Sequence, residues 1–258
     1  MGLTKETANA VENTIKSSIR NKFQKYKPET KEMPFHYRLL GKDRMALYSF
    51  IQSLKKTFVV SIFEPVAETV AKQNFVKAKR QHIVGDKISE AAQQEVQNIM
   101  DDLSIGSSSP NKPLELEKIR KVASKGKLKN VKVVKADLFL EDNTGSIYLF
   151  DLKTAKPNIS SFKDFKRTLL EWSAIAMHEN PDANINTLIA IPYNPYEPKP
   201  YQRWTLKGML DLENELKVAS EFWNFLGGKG AYEDLLNCFE RVGIEMRDEI
   251  DEYFRKFK

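Results

Sequence analysis

The sequence predicts an α/β (α+β) fold in which helices flank a mixed β-sheet. Two β-rich runs, 131–140 and 146–154, are joined by a short segment that ends in Asn-Thr-Gly, which favours a hairpin. A helical pattern over 161–178 follows, and then an all-apolar run over 187–192 that is typical of a strand covered on both faces. Strand, helix and strand in this order predict a right-handed βαβ crossover beside the hairpin.

The part of the chain before the hairpin is predicted to be helical. Apolar residues spaced by four make 4–26 an amphipathic helix, and a second helix is expected over 43–78. Its most apolar part is 58–70, where Pro65 should kink or restart the helix because proline lacks an N–H donor. A third helix is predicted over 86–103.

The remaining segments are a linker, a loop and further helices. Residues 106–113, rich in Gly, Ser and Pro, are the clearest linker in the chain, and 114–123 is predicted to be helical. Residues 192–200 predict a loop rich in Pro, Tyr and Asn. Two closing helices are expected over 206–225 and 232–257.

Composition restricts the class of protein only moderately. The 258 residues include 41 Lys and Arg against 35 Asp and Glu, and this net charge of +6 permits a polyanionic partner without requiring one. A single cysteine, Cys238, excludes an intramolecular disulfide, and with only three histidines a zinc site is not expected. The N-terminus is polar, and no apolar run approaches the roughly 20 residues of a membrane span, so a soluble cytoplasmic protein is predicted.

Three side chains near the ends of the hairpin strands carry the chemistry. Because side chains alternate along a strand, Asp151 and Lys153 share one face while Leu152 points to the other. The hairpin can bring Asp137 across from them. Two carboxylates and an ammonium group would then converge on one side of the sheet.

This convergence indicates a divalent metal. Close carboxylates repel each other, and a sheet rich in apolar residues offers them little solvation, so a cation is needed to compensate. Magnesium prefers oxygen ligands and retained waters, and it can activate a water and polarise a phosphodiester. Lys153 could orient that water, help to deprotonate it, or stabilise the developing negative charge. The alternative is a simple surface ion pair between Asp151 and Lys153, since such short patterns are common.

These residues resemble a known nuclease motif. Asp137 with Asp151-Leu-Lys153 resembles PD-(D/E)xK, although Ala136 stands where that motif has proline. The chain as a whole is similar to type II restriction endonucleases of the TdeIII-like group. That resemblance rests on 61–67, upstream of the motif, and on the stretch 153–172 with its basic and aromatic residues.

The resemblance implies a fold, a domain layout and an activity. It implies a PD-(D/E)xK nuclease core with additional N- and C-terminal helices and one further strand before the Asp137 strand, which the sequence does not locate. Residues 1–105 would form a helical part that contributes the first core helix and 114–258 the catalytic core, together one compact domain over 1–258. The implied activity is Mg²⁺-dependent, site-specific hydrolysis of double-stranded DNA by a homodimer, leaving 5′-phosphate ends. GG-N-CC-type sites, and a cognate DNA methyltransferase that makes no direct contact, are also expected.

The resemblance further implies an acidic residue from the first core helix. Glu64 is the candidate because it lies in the most apolar helical stretch, where an unpaired carboxylate is costly. Glu68, one turn later, is the rival. Both could instead be ordinary surface residues of a helix beside a kink.

DNA contacts are predicted from basic and amide side chains after the catalytic strand. Phosphate contacts need only reach and positive charge, and the helix over 161–178 starts close to the predicted scissile bond. Residues 193–201 are a candidate recognition loop, and a solvated helix face is the alternative for each cation. The candidates are Lys156, Asn158, Lys163, Lys166, Arg167 and Arg203.

Two other functions stay open at the level of sequence. One is a different PD-(D/E)xK nuclease, such as a repair or junction-resolving enzyme. The other is a non-catalytic basic DNA-binding protein. Discrete fragments from plasmid DNA would distinguish a restriction enzyme from the first, and any magnesium-dependent cleavage that Asp151→Ala abolishes would exclude the second.

Overall fold

The computed structural model describes residues 2–27, 33–131, 135–157, 161–202 and 208–256. Over these ranges the chain forms ten α-helices, one π-helical segment and seven strands. The helices are α1 (Lys5–Lys25), α2 (Pro34–Leu40), α3 (Lys42–Phe58), α4 (Glu64–Ala71), α5 (Glu90–Ile105), α6 (Lys112–Arg120), α7 (Phe162–Glu179), α8 (Ser220–Gly227), α9 (Ala231–Glu245) and α10 (Arg247–Arg255). The strands are β1 (Lys77–Ile83), β2 (Lys87–Ser89), β3 (Leu128–Asn130), β4 (Lys135–Glu141), β5 (Ile147–Leu152), β6 (Ile185–Ile191) and β7 (Leu216–Val218).

Five strands form a mixed sheet in the order β1-β4-β5-β6-β7, and β2 pairs with β3 in a separate small sheet. The pairs β1–β4 and β4–β5 are antiparallel, whereas β5–β6 and β6–β7 are parallel. The mixed sheet flanked by helices confirms the predicted fold class. It also confirms the hairpin and the strand–helix–strand order of β5, α7 and β6.

The turn of the hairpin is fixed by local hydrogen bonds. The Asp142 carboxylate accepts from the backbone N–H groups of Thr144 at 2.8 Å and Ser146 at 3.0 Å. Gly145 has φ +82°, a conformation that glycine adopts without the steric cost of a Cβ. This turn sets the register of β4 against β5 and therefore decides which side chains face each other across the hairpin.

The second predicted helix ends earlier than expected. Helix α4 stops at Ala71, and 77–83 form β1, the strand before β4 that the sequence did not locate. The sequence of β1 reads Lys-Ala-Lys-Arg-Gln-His-Ile, and its exposed and half-buried residues alternate. Such a polar strand is suited to a sheet edge, where charged side chains discourage pairing with other chains, and it lacks the apolar signal that predicts a central strand.

Other boundaries also differ from the sequence predictions. In the described part of the predicted helix over 206–225, from residue 208 onwards, the chain forms turns, the short strand β7 and the helix α8. The predicted helix over 86–103 begins as β2 and turns helical at Glu90, where the preceding Ser89 side chain accepts from Ala92 N at 3.1 Å. The last helix is divided into α9 and α10 at Met246.

Pro65 restarts the helix that contains it, as predicted. A π-helical segment, Val59–Phe63, lies between α3 and α4, and the Glu64 N–H donates to Val59 O in the wider π pattern. Pro65 then occupies the first turn of α4, where a missing N–H is tolerated. Single π turns of this kind often occur at functional sites, and here the change of helix type lies directly before Glu64.

The apolar core is continuous through the elements that surround the sheet. It includes buried side chains from helices and strands that are far apart in sequence, for example Val11, Val66, Leu138, Leu169 and Leu235. Helices α1 and α4 therefore pack into the same core as the hairpin strands. In the described ranges, no helix is both long enough and apolar enough to cross a membrane.

Candidate active site

Asp137 and Asp151 lie at the open end of the hairpin. In the β4–β5 ladder Leu138 faces Phe150, and the two aspartates are the next residue on each strand. The Leu152 N–H donates to Asp137 Oδ2 at 2.8 Å, which fixes that carboxylate against β5. The register therefore brings together the two carboxylates that the sequence pattern predicted to converge.

Lys153 joins the same cluster. Its Nζ lies 2.6 Å from Asp151 Oδ1 and 4.6 Å from the ring centre of Phe165, which belongs to α7. The Lys153 N–H donates to Ala190 O at 2.8 Å, so the backbone continues the parallel pairing of β5 with β6. The ammonium group is thus held beside a carboxylate and an aromatic face while 27% of the side chain remains exposed.

Glu64 supplies a third carboxylate from α4. It is fully buried, and its Oε2 accepts from Gln81 Nε2 at 2.9 Å. Its Oε1 is the one buried side-chain oxygen or nitrogen in the described part of the chain with no hydrogen-bond partner. The rival Glu68 instead pairs with Arg80 at 2.8 Å, so Glu64 is the glutamate that lies at the cluster.

The electrostatics of the cluster favour a compensating cation. Burial raises the pKa of Asp137 to about 7, and the nearby charges of Asp151 and Glu64 add to this rise. Burial also raises the pKa of Glu64, against the opposing effects of Gln81 and Arg80. A proton or a cation must therefore balance these carboxylates near neutral pH.

The carboxylates at this site are compatible with the oxygen ligands that magnesium prefers. Among the described residues, no three His, Cys, Asp or Glu side chains are arranged as a complete metal site. Magnesium usually takes one or two carboxylates and keeps several waters. Asp137 and Asp151 fit such a shell, and the unpartnered Oε1 of buried Glu64 is an acceptor that a metal-bound water could use.

The predicted DNA contacts divide into several groups. Lys156 and Lys163 are exposed, and Arg167 is partly exposed while donating to Gln97 on α5 at 2.8 Å. Asn158 and Arg203 lie outside the described residues. Lys166 is fully buried, so its assignment as a phosphate contact is wrong.

Lys166 belongs to a buried ionic cluster that joins α6, α7 and the segment before β7. Its Nζ pairs with Glu115 and, at 2.7 Å, with Glu215. Glu215 also pairs with Lys112 at 2.9 Å, and Lys112 donates to Thr187 at 2.7 Å. We call Lys112, Glu115, Lys166 and Glu215 the buried quartet; all four are at least 95% buried.

The charges in the buried quartet balance. Burial lowers the pKa of Lys112, although Glu215 opposes this. Burial pushes the pKa of Glu215 upwards, but the charges of Lys112 and Lys166 outweigh it and the net shift is downwards. The quartet therefore holds three ion pairs in the protein interior and joins α6, α7 and the segment before β7.

The candidate recognition loop contacts the segment after Lys153. The Tyr201 hydroxyl donates to Ala155 O at 3.1 Å, and Lys156 Nζ lies 5.4 Å from the ring centre of Tyr196. The ring of Tyr193 is 6.3 Å from that of Phe63, the residue before Glu64. Residues 193–201 are thus adjacent to both the segment after β5 and the start of α4.

Gln81 was missed by the sequence analysis. It lies on β1, and its amide contacts both Glu64 and Asp137. The predicted helix over 43–78 reached only the first two residues of β1, and 79–85 were given no element. The strand is polar, so no apolar pattern in the sequence pointed to Gln81.

The chain is similar to known proteins over most of its length. The family model described as type II restriction endonuclease, HinfI, matches residues 3–243. The chain is 27% identical over 221 residues to the type II restriction enzyme HgiCII of Herpetosiphon aurantiacus, covering 84% of this chain and 80% of that protein. HgiEI of the same organism is 26% identical over 221 residues, covering 84% and 79%. MjaII of Methanocaldococcus jannaschii is 28% identical over 199 residues, covering 72% of this chain and 51% of that enzyme.

These similarities agree with the fold and the broad class predicted from sequence. The narrower TdeIII-like grouping and the PD-(D/E)xK assignment stay predictions. Since the family model spans residues 3–243 of 258, the chain belongs to the HinfI family of type II restriction endonucleases.

Proposed function

We propose that the chain hydrolyses double-stranded DNA at a specific site by PD-(D/E)xK chemistry that depends on Mg²⁺. The observation that carries the proposal is the convergence of Asp137, Asp151 and Lys153 at the open end of the hairpin. Family membership establishes a type II restriction endonuclease, whereas the metal, the catalytic residues and the ends are the proposed details.

Asp137 and Asp151 would hold the metal. When bound, magnesium would polarise the scissile phosphodiester and lower the pKa of an attacking water. Glu64, through its free Oε1, would orient a water at the edge of this shell. The phosphorus–oxygen bond to the 3′ oxygen would break, so that the products carry 5′-phosphate ends.

Lys153 would act on the attacking water. Its Nζ is held by Asp151 and by the ring of Phe165, which restricts the ammonium to one side of the cluster. From there it can orient the water and stabilise the negative charge that develops on the phosphate. The contact with Phe165 links this position to α7.

A homodimer acting on a short palindrome is the proposed assembly. One active site of this kind cuts one strand, and a two-fold dimer supplies a second site for the other strand. Residues 193–201 are the proposed recognition loop, because they contact the segment after Lys153. GG-N-CC-type sites are the proposed target class, and a DNA methyltransferase would protect them in the cell without touching this protein.

The first prediction concerns the metal. Plasmid DNA incubated with the protein and Mg²⁺ should give discrete fragments, Mn²⁺ should replace Mg²⁺, and EDTA should stop cleavage. Calcium should support binding without cutting, since it accepts oxygen ligands but organises the attacking water poorly. Gel analysis of a fully sequenced plasmid, with sequencing of the fragment ends, measures the fragments, the site and the end chemistry together.

The contrary outcomes are distinct. Robust cleavage in excess EDTA would refute the metal assignment. A smear of fragments in place of bands would favour a non-specific nuclease, and binding without cleavage under every metal would favour a non-catalytic DNA-binding protein.

The second prediction concerns phosphate contacts. Lys156 and Lys163 are exposed on the segments that follow the catalytic strand, so we expect both to contact DNA backbone. Replacing both with Ala should flatten the slope of log affinity against log salt by about 0.9 for each lost contact, on cognate and random duplexes alike. Fluorescence anisotropy in calcium at several salt concentrations measures this slope.

A matched double variant controls for the loss of two charges. Lys5 and Lys229 are exposed, and the nearby chain residues Thr4 and Gly227 hydrogen-bond to Gln73. Gln73 lies beyond the end of α4 that is opposite to Glu64. Their replacement with Ala should leave the slope unchanged. Equal slopes for both double variants would remove Lys156 and Lys163 from the interface.

A further inference from the structure

Gln81 lies between two of the acidic side chains in the candidate site. Its Nε2 donates to Glu64 Oε2 at 2.9 Å and to Asp137 Oδ1 at 3.3 Å. Ionised carboxylates only accept hydrogen bonds, and one amide nitrogen can donate two, so a single side chain can serve both groups. Through these contacts Gln81 connects α4 to β4 across the edge strand β1.

The backbone of Gln81 is unusual for a residue in a strand. Its φ is +52°, in the left-handed region that is unfavourable for a residue with a long side chain. The ladder continues on both sides, with Arg80 opposite Leu138 and His82 opposite Ala136. The surrounding pairs therefore hold a strained residue in the middle of β1, at the position opposite Asp137.

A neutral donor suits this position better than a cation would. Glu64 and Asp137 both carry carboxylates that accept from the same amide, and like charges repel, so a donor between them helps to keep them close together. A lysine or arginine would pair with these carboxylates and oppose the binding of a divalent cation. The Gln81 amide holds them with hydrogen bonds and adds no positive charge to the site.

We propose that Gln81 is a positioning residue that pre-organises Glu64 and Asp137 for the divalent metal. The inference rests on the proposed function, because it assigns Gln81 to the same metal site. Residues around a metal site that orient its ligands typically change metal affinity by about 10- to 100-fold when they are removed.

The experiment uses two substitutions that accept a positive φ. Gln81→Gly removes the amide and relieves the backbone strain, whereas Gln81→Asn keeps an amide on a shorter side chain. Binding of Mn²⁺ to the full chain without DNA is followed through the electron paramagnetic resonance signal of the free ion. We expect Gln81→Gly to bind Mn²⁺ about tenfold more weakly or worse, with Gln81→Asn between it and the unchanged protein.

Two further measurements distinguish a role of Gln81 in positioning the carboxylates from a role in the stability of the fold. The urea midpoint of Gln81→Gly should not fall, because glycine removes strain at this φ. Cleavage by Gln81→Gly should recover partly at high Mn²⁺, since the residues that hold the metal remain in place. Lys79→Ala, an exposed change on the same strand, should alter neither metal affinity nor cleavage.

The possible results distinguish a failure of the role proposed for Gln81 from a failure of the proposed function. Unchanged Mn²⁺ affinity in Gln81→Gly would overturn the role of Gln81 while leaving the proposed function intact. Weakened binding together with a lowered urea midpoint would make Gln81 a structural residue and also overturn the inference. If the unchanged protein neither binds Mn²⁺ nor cleaves DNA with it, the proposed function fails, and this inference fails with it.

Discussion

Replacing Lys153 with Ala is expected to slow DNA cleavage by about 100-fold or more. The ammonium group lies 2.6 Å from Asp151 and beside the proposed metal shell, where it can act on the attacking water. A group that acts in the transition state changes the rate constant and leaves ground-state binding nearly unchanged. Single-turnover cleavage in Mg²⁺, together with DNA affinity in Ca²⁺, measures the two quantities separately.

The variant Lys153→Arg distinguishes charge stabilisation by Lys153 from proton transfer. Arginine keeps the positive charge and the donors but does not release a proton in the accessible pH range. Substantial activity in Lys153→Arg would therefore assign the lysine to charge stabilisation, whereas loss in both variants would favour a role in proton transfer. If Lys153→Ala cleaves within about threefold of the unchanged protein, Lys153 is not a catalytic residue.

Replacing Lys166 with Ala is expected to destabilise the protein by about 3–5 kcal/mol, which is typical for removing one partner of a buried ion pair. Glu115 loses its lysine and Glu215 keeps only one of two, so uncompensated negative charge remains in the interior. Unfolding in urea, followed by circular dichroism, measures the change. Lys163→Ala, an exposed substitution one turn earlier on α7, should fall within about 0.5 kcal/mol of the unchanged protein.

A double variant that also removes a negative charge tests whether uncompensated buried charge causes the loss of stability. Lys166→Met combined with Glu115→Gln removes one positive and one negative charge and leaves the pair of Lys112 with Glu215 intact. It should recover most of the lost stability, because neutral replacements for a buried ion pair often cost little. An unaltered urea midpoint in Lys166→Ala would contradict the stabilising role of Lys166 in the buried quartet.

The parts of the fold that depend on apolar periodicity could be predicted from the sequence. The hairpin, α7 and β6 have strong local patterns, and the turn at 142–145 carries the residues that such a turn requires. The same alternation predicted that Asp151 and Lys153 share a side, which the 2.6 Å ion pair confirms. The position of Asp137 followed from the hairpin.

The remaining features depend on contacts between distant residues. β1 is a polar edge strand without an apolar pattern, so the predicted helix over 43–78 included its first two residues and 79–85 were given no element. Lys166 looked like a surface cation because its partners Glu115 and Glu215 are 51 and 49 residues away. The strand β7 has only three residues, 216–218, and its neighbours suggested a helix.

Because of the buried quartet, the stability of the fold should depend much less on salt concentration than the affinity for DNA. Dissolved ions weaken attraction between exposed charges, and they act far less on charges enclosed by protein. The phosphate contacts proposed for Lys156 and Lys163 should therefore be lost as salt rises, while the three ion pairs of the buried quartet should persist. We therefore expect a range of salt concentrations in which the protein releases DNA and stays folded, so that the same molecules can be returned to low salt and used again.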